Sequence, residues 1–597
     1  MVTEQWSYEA VLRYLSEATA GLISAPDEPL APGRPSLHYT RSRADLTHFV
    51  PAPPRSPTPD QDQFAFDSAR FQAQEGAADF VDAKRSYYAR LPWIESQQAH
   101  ALPYTTPSAW TTLNHPPIKE LEGPLSHWTG LFAGPAPEGD PAFNSPYFDP
   151  LFQRALDEGG SSLTHGNRTQ MLANGAAFRE KMRLVADAKD HLYIAVMFWS
   201  CDASADQLTA ALGERVRAGV DVRLMTEGLY RETITRRCID RLEAAGVKVV
   251  SYRDALRPAT FGAVLHWKVW IRDGEELIIG GQNIGNYESH SDGFNLLDRD
   301  NDVLVTGPAV TDAETAWIDA WEERGGEPGL ERARADAIRN RHSQEEAGVR
   351  GAGNYARWLG DPATRMKGNC RVLMQSVSAT AQPIGPIVEA YLTSSKDQVV
   401  FSSPTVRYDP HNPANASSSG LSVHRLMEAL EGHGDGGGRK VVVITNGAGG
   451  GMGESQHWLR ARRDGALRAH QWGLYQLSRQ FIELVSRRSA VANRNVTVPL
   501  AGNPNLEVWT YFQYIHTKIW LFDRVAAMVG SWNLEINSTD KNPEAALVCL
   551  DQPLRDAVEA DLALALVNSV PEVSLETART RSAGITKSSV TPGPAAR

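Results

Sequence analysis

Cysteine is scarce. Cys201, Cys238, Cys370 and Cys549 are the only four in 597 residues, and no C-x-x-C pair occurs. A disulfide framework or a structural zinc site is read from clustered or regularly spaced cysteines, so this spacing predicts neither. No run of about 18 apolar residues appears, which argues against a membrane-spanning helix. The opening stretch, MVTEQWSYEAVLRYLSEATAGLISA, has no basic region followed by a continuous apolar one. It reads as an amphipathic helix and not as a signal peptide. Positive charge is not in excess: the formal net charge of −11 offers no general attraction to nucleic acid. H-E-x-x-H and comparable metal-ligand spacings are missing, so no metal site is expected. GAGGGMG at 447–453 fits neither G-x-G-x-x-G nor a Walker loop, and is read as a flexible connection. These absences predict a soluble protein from a reducing compartment, cytoplasmic or peripheral to a membrane. Secretion without a cleaved signal peptide stays open.

The sequence is otherwise ordinary for a globular protein, with 42% apolar and 22% charged residues, but too long for one common domain. Residues 1–165 are rich in Pro, Ser, Asp and aromatics and read as an irregular N-terminal extension with a few short helices. From 166 to 335 helical periodicity alternates with short apolar runs such as HLYIAVMFW, VDVRLMT and VKVVSY. Residues 336–370 read as a charged surface helix and linker. The alternation returns over 371–571 with IGPIVEAYLTSS, DQVVFSS, RKVVVITN, a long helix near 466–487 and LEVWTYF. The tail at 572–597 is small and polar and is read as disordered. Strands alternating with helices predict an α/β fold with a mainly parallel sheet in each half.

One constellation occurs twice. LHWKVWIRDGEELIIGGQNIG carries His266, Lys268, Asp273, Gly280, Gly281 and Asn283. IHTKIWLFDRVAAMVGSWN carries His516, Lys518, Asp523, Gly530, Ser531 and Asn533 at the same spacings. With about one chance in 20 per fixed residue, one accidental copy is of order 10⁻⁷ per starting point. Two in matching contexts are not accidental. Residues two apart on a strand share a face, so each half would present an imidazole beside a fixed positive charge. An Asn at a glycine turn adds hydrogen-bonding groups. Two halves meeting about a pseudo-twofold axis would put two His, two Lys and two Asn around one cavity suited to a phosphodiester.

This duplicated H-x-K-x4-D-x6-G-[GS]-x-N pattern resembles the phospholipase D superfamily, which includes bacterial cardiolipin and phosphatidylserine synthases. The resemblance runs over roughly residues 170–570. It also takes in ADQLTAALGERVRAGVDVRLMTEG and RDNDVLVTGPAV. It implies two αβ(α) sandwich halves packed into one bilobal, monomeric unit, without a cofactor or metal. The implied substrate is a phospholipid at a membrane surface, with water or an alcohol as acceptor. One His attacks phosphorus to form a phosphohistidine, and the other acts as acid and then base. His266 is the implied nucleophile and His516 the implied acid. Lys268, Lys518, Asn283 and Asn533 would stabilise the non-bridging oxygens. The acid that orients each imidazole falls at Asp300 and Glu544, with Asp298, Asp302 and Asp540 as nearby competitors. Asp273 and Asp523 follow Lys by an odd number of residues, so they are expected to be structural, as are Gly280, Gly281, Gly530 and Ser531 at the turns. Trp270 and Trp520 are expected in the core; for Trp532, in the turn, the core reading stands first and a place at a lipid entrance is the alternative.

Three other readings accompany this one. A nuclease of the same superfamily would use the same chemistry, although the acidic balance disfavours nucleic acid as a partner. A delivered toxin would change the biology and not the reaction. A lipid-binding scaffold would keep the fold without turnover.

Overall fold

The computed structural model describes residues 145–231, 235–252, 263–285, 298–375, 382–406, 440–446, 506–511, 514–567 and 569–571. The readings given above for residues 1–144, for 447–453, for the helix near 466–487 and for the tail lie outside the described residues.

The described helices are α1 (Pro150–Leu156), α2 (Gly175–Asp187), α3 (Ala203–Arg217), α4 (Arg236–Ala244), α5 (Ala309–Glu323), α6 (Glu331–Glu346), α7 (Tyr355–Gly360), α8 (Ile384–Ser394), α9 (Ile536–Asp540) and α10 (Gln552–Val567), besides single turns. The strands of the first half are β1 (Arg168–Ala173), β2 (His191–Val196), β3 (Asp221–Glu227), β4 (Lys248–Tyr252), β5 (Lys268–Arg272), β6 (Glu276–Gly280), β7 (Asp298–Arg299) and β8 (Asn301–Thr306). Those of the second are β9 (Asn369–Met374), β10 (Gln398–Ser402), β11 (Lys440–Asn446), β12 (Leu506–Tyr511), β13 (Tyr514–Ile515), β14 (Ile519–Phe522), β15 (Ala526–Gly530), β16 (Ala545–Leu550) and β17 (Ser569–Pro571).

The first sheet runs β1-β8-β6-β5-β2-β3-β4, and the second runs β9-β16-β15-β14-β10-β11-β12-β17. Apart from β17 the two orders are the same, strand for strand. A two-stranded parallel ladder, β7 with β13, joins the halves. The sheets are mixed and not mainly parallel. Only β2-β3-β4 and β10-β11-β12 run parallel, and the other pairs are antiparallel. The reason is the turn inside each motif: β5 folds straight back into β6 and β14 into β15, and a tight hairpin allows only antiparallel pairing.

Alternation along the strands sorts side chains into layers. Tyr193, Val269, Ile271, Leu277 and Val303 meet Val372, Ile519, Leu521 and Val529 in a core shared by both halves. The α5 helix of the first half packs against β9 of the second, and α10 of the second against β1 of the first. The opposite face of the first sheet, with Ile194 and Trp270, is covered by residues of α2, α3 and α4. That of the second sheet is covered by α8 and by the segment from Ser145 onward, through Tyr147, Leu156 and Leu163. The Tyr147 hydroxyl donates to the Tyr391 carbonyl, and Arg371 pairs with Asp157 at 2.8 Å. Strands covered on both faces read as continuous apolar runs, which is how β2 and β16 look in sequence.

The expectation against disulfides is wrong. All four cysteines pair, Cys201 with Cys238 and Cys370 with Cys549. Cys370 and Cys549 lie 179 residues apart but face each other in the β9–β16 register, with Cα atoms 4.1 Å apart. Sequence spacing says nothing about such a neighbour. The reducing-compartment expectation, which rested on unpaired thiols, loses its ground.

Candidate active site

Each motif begins in an extended segment that leaves its own sheet and crosses to the other half. His266 precedes β5, and its backbone N–H donates to the Pro543 carbonyl at 2.9 Å. His516 lies between β13 and β14, and its N–H donates to the Arg299 carbonyl at 2.7 Å. The acceptor in each case is the residue just before the acid of the opposite half.

The side chains repeat the crossing. His266 Nδ1 bonds Glu544 Oε2 at 2.7 Å, and His516 Nδ1 bonds Asp300 Oδ2 at 2.7 Å. Each acid therefore holds the imidazole of the other half, over separations of 278 and 216 residues. With Nδ1–H donating to a carboxylate, Nε2 is the nitrogen left for chemistry. Both histidines are almost fully buried, and both acids are completely so. Lys268 Nζ donates to the His266 carbonyl at 3.0 Å, and Lys518 Nζ to that of His516. Lys518 of the second half acts electrostatically on His266, and Lys268 of the first on Asp300. The halves thus build one electrostatic site. Asn283 and Asn533 follow the two glycine turns, each 7–8% exposed.

The environments of the two dyads differ. Glu544 accepts from the Ser531 hydroxyl, from the Ser538 hydroxyl at 2.6 Å and from the Asn542 amide at 3.4 Å. Asp300 accepts from the Asn301 N–H at 2.8 Å. A Cβ at Gly281 would come within 2.2 Å of Asp300 Oδ1, so only glycine fits there. Burial, only partly offset by Lys518 and the Asn301 N–H, pushes the Asp300 carboxyl up to about 6. His266 is held below its ordinary value, first by burial and then by Lys268, against the pull of Glu544. A neutral imidazole with an exposed lone pair on Nε2 is the form that can attack an electrophile.

Asp273 and Asp523 sit at the far end of each motif strand, in left-handed backbone at φ 52° and 49°. Asp273 accepts the N–H groups of Lys189, Asp190 and His191 at 2.8–3.0 Å, which pins the start of β2. Asp523 does the same for β10 through Lys396, Asp397 and Gln398, and also accepts the Ser395 hydroxyl. Gly280 lies against Asp302, where a Cβ would be 2.2 Å from Oδ1, and Gly530 against the Ala545 carbonyl at 2.4 Å. Ser531 bridges Glu544 and the Ala545 N–H. Trp270 and Trp520 are buried in the core. So is Trp532, which belongs to the apolar cluster of the second half and follows the core reading.

Several contributors were missed in the sequence. Ser538 and Asn542 complete the Glu544 cradle, and Asn542 also accepts the Val264 N–H at 3.0 Å. The only sequence signal for that cradle was the extra hydroxyl of Ser531 relative to Gly281. Trp267 donates its indole N–H to the Glu544 carbonyl at 3.0 Å.

A family model described as "Cardiolipin synthase, PLD-like domain" matches residues 182–320 and 392–564, together more than half of the chain. Among curated relatives, cardiolipin synthase 1 of Bacillus cereus is 29% identical over 169 residues, which is 27% of this chain and 33% of that protein. Cardiolipin synthase of Geobacillus kaustophilus is 25% identical over 187 residues, 31% of this chain and 37% of the relative. The chain thus spans about a third of the length of the curated relatives it matches. Among solved structures, phosphatidylserine synthase of Haemophilus influenzae aligns with a TM-score of 0.45 at 12% identity, covering 73% of this chain and 97% of that one. With the motif present in both matched segments, the chain belongs to the cardiolipin synthase, phospholipase D-like family.

Proposed function

We propose that this protein is a phospholipid phosphodiesterase that hydrolyses a head-group ester or transfers the phosphatidyl group to an alcohol. The observation that carries the reading is the pair of crossed imidazole–carboxylate dyads, flanked by two lysines within one buried site. Membership of a cardiolipin synthase family and relatives bearing that name support a lipid as substrate. The site is complete within one chain, which fits a monomer.

His266 Nε2 attacks phosphorus in line, and the bond to the head-group oxygen breaks. His516, holding a proton on Nε2, gives it to the departing alkoxide. The phosphohistidine is then attacked by water or an alcohol. His516 takes up that nucleophile's proton while the P–N bond to His266 breaks, restoring both imidazoles. Lys268, Lys518, Asn283 and Asn533 stabilise charge on the non-bridging oxygens. Glu544 and Asp300 fix the tautomers and stabilise the cationic forms, as a carboxylate does for the histidine of a Ser-His-Asp triad. The lowered basicity of His266 favours it as the nucleophile.

The test exposes the full-length protein to vesicles of phosphatidylglycerol, phosphatidylethanolamine or phosphatidylcholine with a primary alcohol present. Products are read by mass spectrometry, with His516→Ala as control. Phosphatidic acid or a phosphatidyl-alcohol formed by the wild type alone supports the reading, and their ratio separates hydrolysis from transfer. Intact lipids alongside cleaved single-stranded DNA or RNA would overturn it in favour of a nuclease.

A further inference from the structure

The two halves solve one packing problem differently. The positions beneath the glycine turn correspond through the strand register. Gly280 faces Asp302 and Gly530 faces Ala546. Gln282 and Trp532 both sit just before the motif Asn, and Lys181 and Val388 lie on the helix that precedes β2 or β10. In the second half Trp532, Ala546 and Val388 all belong to one apolar cluster. In the first half the three places hold Gln282, Asp302 and Lys181, each only 1% exposed.

We infer that Lys181 and Asp302 are a positioning pair that fixes the Gly280–Asn283 turn and the backbone of Asp300, and so sets the charge environment of the His516 dyad. The inference rests on the phosphodiesterase reading. Lys181 Nζ lies 2.7 Å from Asp302 Oδ2 and 3.4 Å from the Gln282 carbonyl. Asp302 Oδ1 accepts the Gln282 N–H at 3.1 Å, so the ion pair holds Gln282, the residue just before Asn283, by both its N–H and its carbonyl. The Gln282 amide donates to the Asp300 carbonyl at 3.3 Å and to the Asn174 carbonyl at 3.0 Å. Asn174 closes the loop: its side chain accepts the Asp300 N–H at 3.1 Å and its own N–H donates to the Asp300 carbonyl at 2.8 Å.

A buried ion pair is a poor way to gain stability, since hydrocarbon of similar volume commonly does as well. The second half demonstrates the hydrocarbon alternative in this chain. What charge adds is direction: two fixed partners for one turn, and a field at Asp300. The groups that act on Asp300 are Lys518, Lys268 and Lys181, which favour its ionised form, and Asp302, which opposes it; His516 is its hydrogen-bond partner. Removing Lys181 makes Asp300 harder to ionise, and neutralising Asp302 makes it easier.

The test measures kcat and KM from pH 4.5 to 8.5 on phosphatidylglycerol vesicles for the full-length wild type, Lys181→Met, Lys181→Arg and Asp302→Asn. Lys181→Met and Asp302→Asn are expected to lower kcat about tenfold or more with KM within about twofold. The acidic limb should move to higher pH in Lys181→Met and to lower pH in Asp302→Asn, by about half a unit each. Lys181→Arg should restore the wild-type profile. A purely structural pair would lower the melting temperature and the active fraction while leaving the limb in place. A limb that stays fixed, or moves the same way in both variants, overturns the inference. Should Lys181→Met fail to fold, Lys181→Val/Asp302→Ala/Gln282→Trp copies the second half's apolar solution, and wild-type kcat in that variant is the contradicting result. Wild-type protein that spares lipids but cleaves bis(4-nitrophenyl) phosphate refutes the lipid reading alone, and the same comparison on that ester still decides the pair. Silence on both substrates overturns both.

Discussion

The first half pairs a short acid with a bare glycine, Asp300 against Gly281, and the second pairs a longer acid with a hydroxyl, Glu544 with Ser531. Strand order, motif spacing and the crossing of the dyads are common to both. Yet Glu544 gathers two hydroxyls and an amide, whereas Asp300 accepts a backbone N–H and lies against a bare glycine. Pseudosymmetry here keeps positions and not solutions. The residue after the motif glycine and the acid across from it work as a unit, so neither can be exchanged alone. Two imidazoles in matching frames are thereby held by differently built acids.

The comparison breaks most completely at the acids themselves. Asp300→Asn and Glu544→Gln should each cut kcat by roughly 10³–10⁴-fold, the scale seen when a triad carboxylate is neutralised. Because the dyads are crossed, Glu544→Gln added to His266→Ala should cost nothing further, and likewise Asp300→Asn added to His516→Ala. Coupling along the half instead, between Asp300 and His266, would contradict the arrangement. Exchanging the turn residues sharpens the contrast. Gly281→Ser drives a Cβ against Asp300 and should lower kcat about 100-fold or more with a reduced melting temperature. Ser531→Gly adds no clash and removes the hydroxyl that donates to Glu544 and accepts the Ala545 N–H; the bond to the carboxylate is worth about 1.5–3 kcal/mol, so a loss of roughly tenfold or somewhat more is expected. Equal losses would mean the two turns are interchangeable.

Stability gives the third test. The Asp300 carboxyl titrates at about 6 in the folded protein against an ordinary 3.8. The folded state therefore holds that proton more tightly, and ionisation costs stability as pH rises between those values. Asp300→Asn removes the cost, so the inactive variant should be more stable than wild type by about 1–3 kcal/mol above pH 7 and indistinguishable near pH 3.5. Denaturant melts at both pH values measure it.

The smallest effect lies at the far end of the motif strands. There His191 pairs with Glu314 at 2.8 Å, while Gln398 holds the matching place and Arg524 pairs with Glu559 at 2.9 Å. Burial alone would depress His191, but Glu314, together with Asp190 and Asp273, more than offsets it and raises the imidazole above its ordinary value. Its contribution is full below pH 6.5 and is lost as pH rises through the raised value. Glu314→Gln should cost about 1–2 kcal/mol at pH 5.5 and nearly nothing at pH 9. Glu559→Gln should show no such histidine-like dependence across that range.

Much of this was legible before any coordinates. A motif repeated at fixed spacing marked His266, Lys268, His516 and Lys518, and apolar runs between helical stretches marked the two halves. The family resemblance pointed to Asp300, and Glu544 stood at the same distance before its own strand. Their partners could not be found that way: spacing relates residues within one half, and the bonds run between halves. The disulfides escaped for the same reason, since Cys370 meets Cys549 only once β9 is found beside β16. Lys181 drew no reading from the sequence, and Asp302 looked like a rival of Asp300. Each is buried because the other is there. The hairpin inside each motif made the sheets mixed where the α/β alternation suggested parallel, because a turn centred on Asp273 or Asp523 leaves no room for a crossover.

The central claim is that one site, assembled across the halves, works through a covalent intermediate on His266. The direct measurement mixes full-length protein with phosphatidylglycerol vesicles, quenches in denaturing alkali within the first turnovers, and maps the mass increment on peptides. The account predicts a phosphatidyl adduct on the peptide carrying His266 and none on that carrying His516. An adduct on His516, or rapid turnover with no adduct on either, would contradict it.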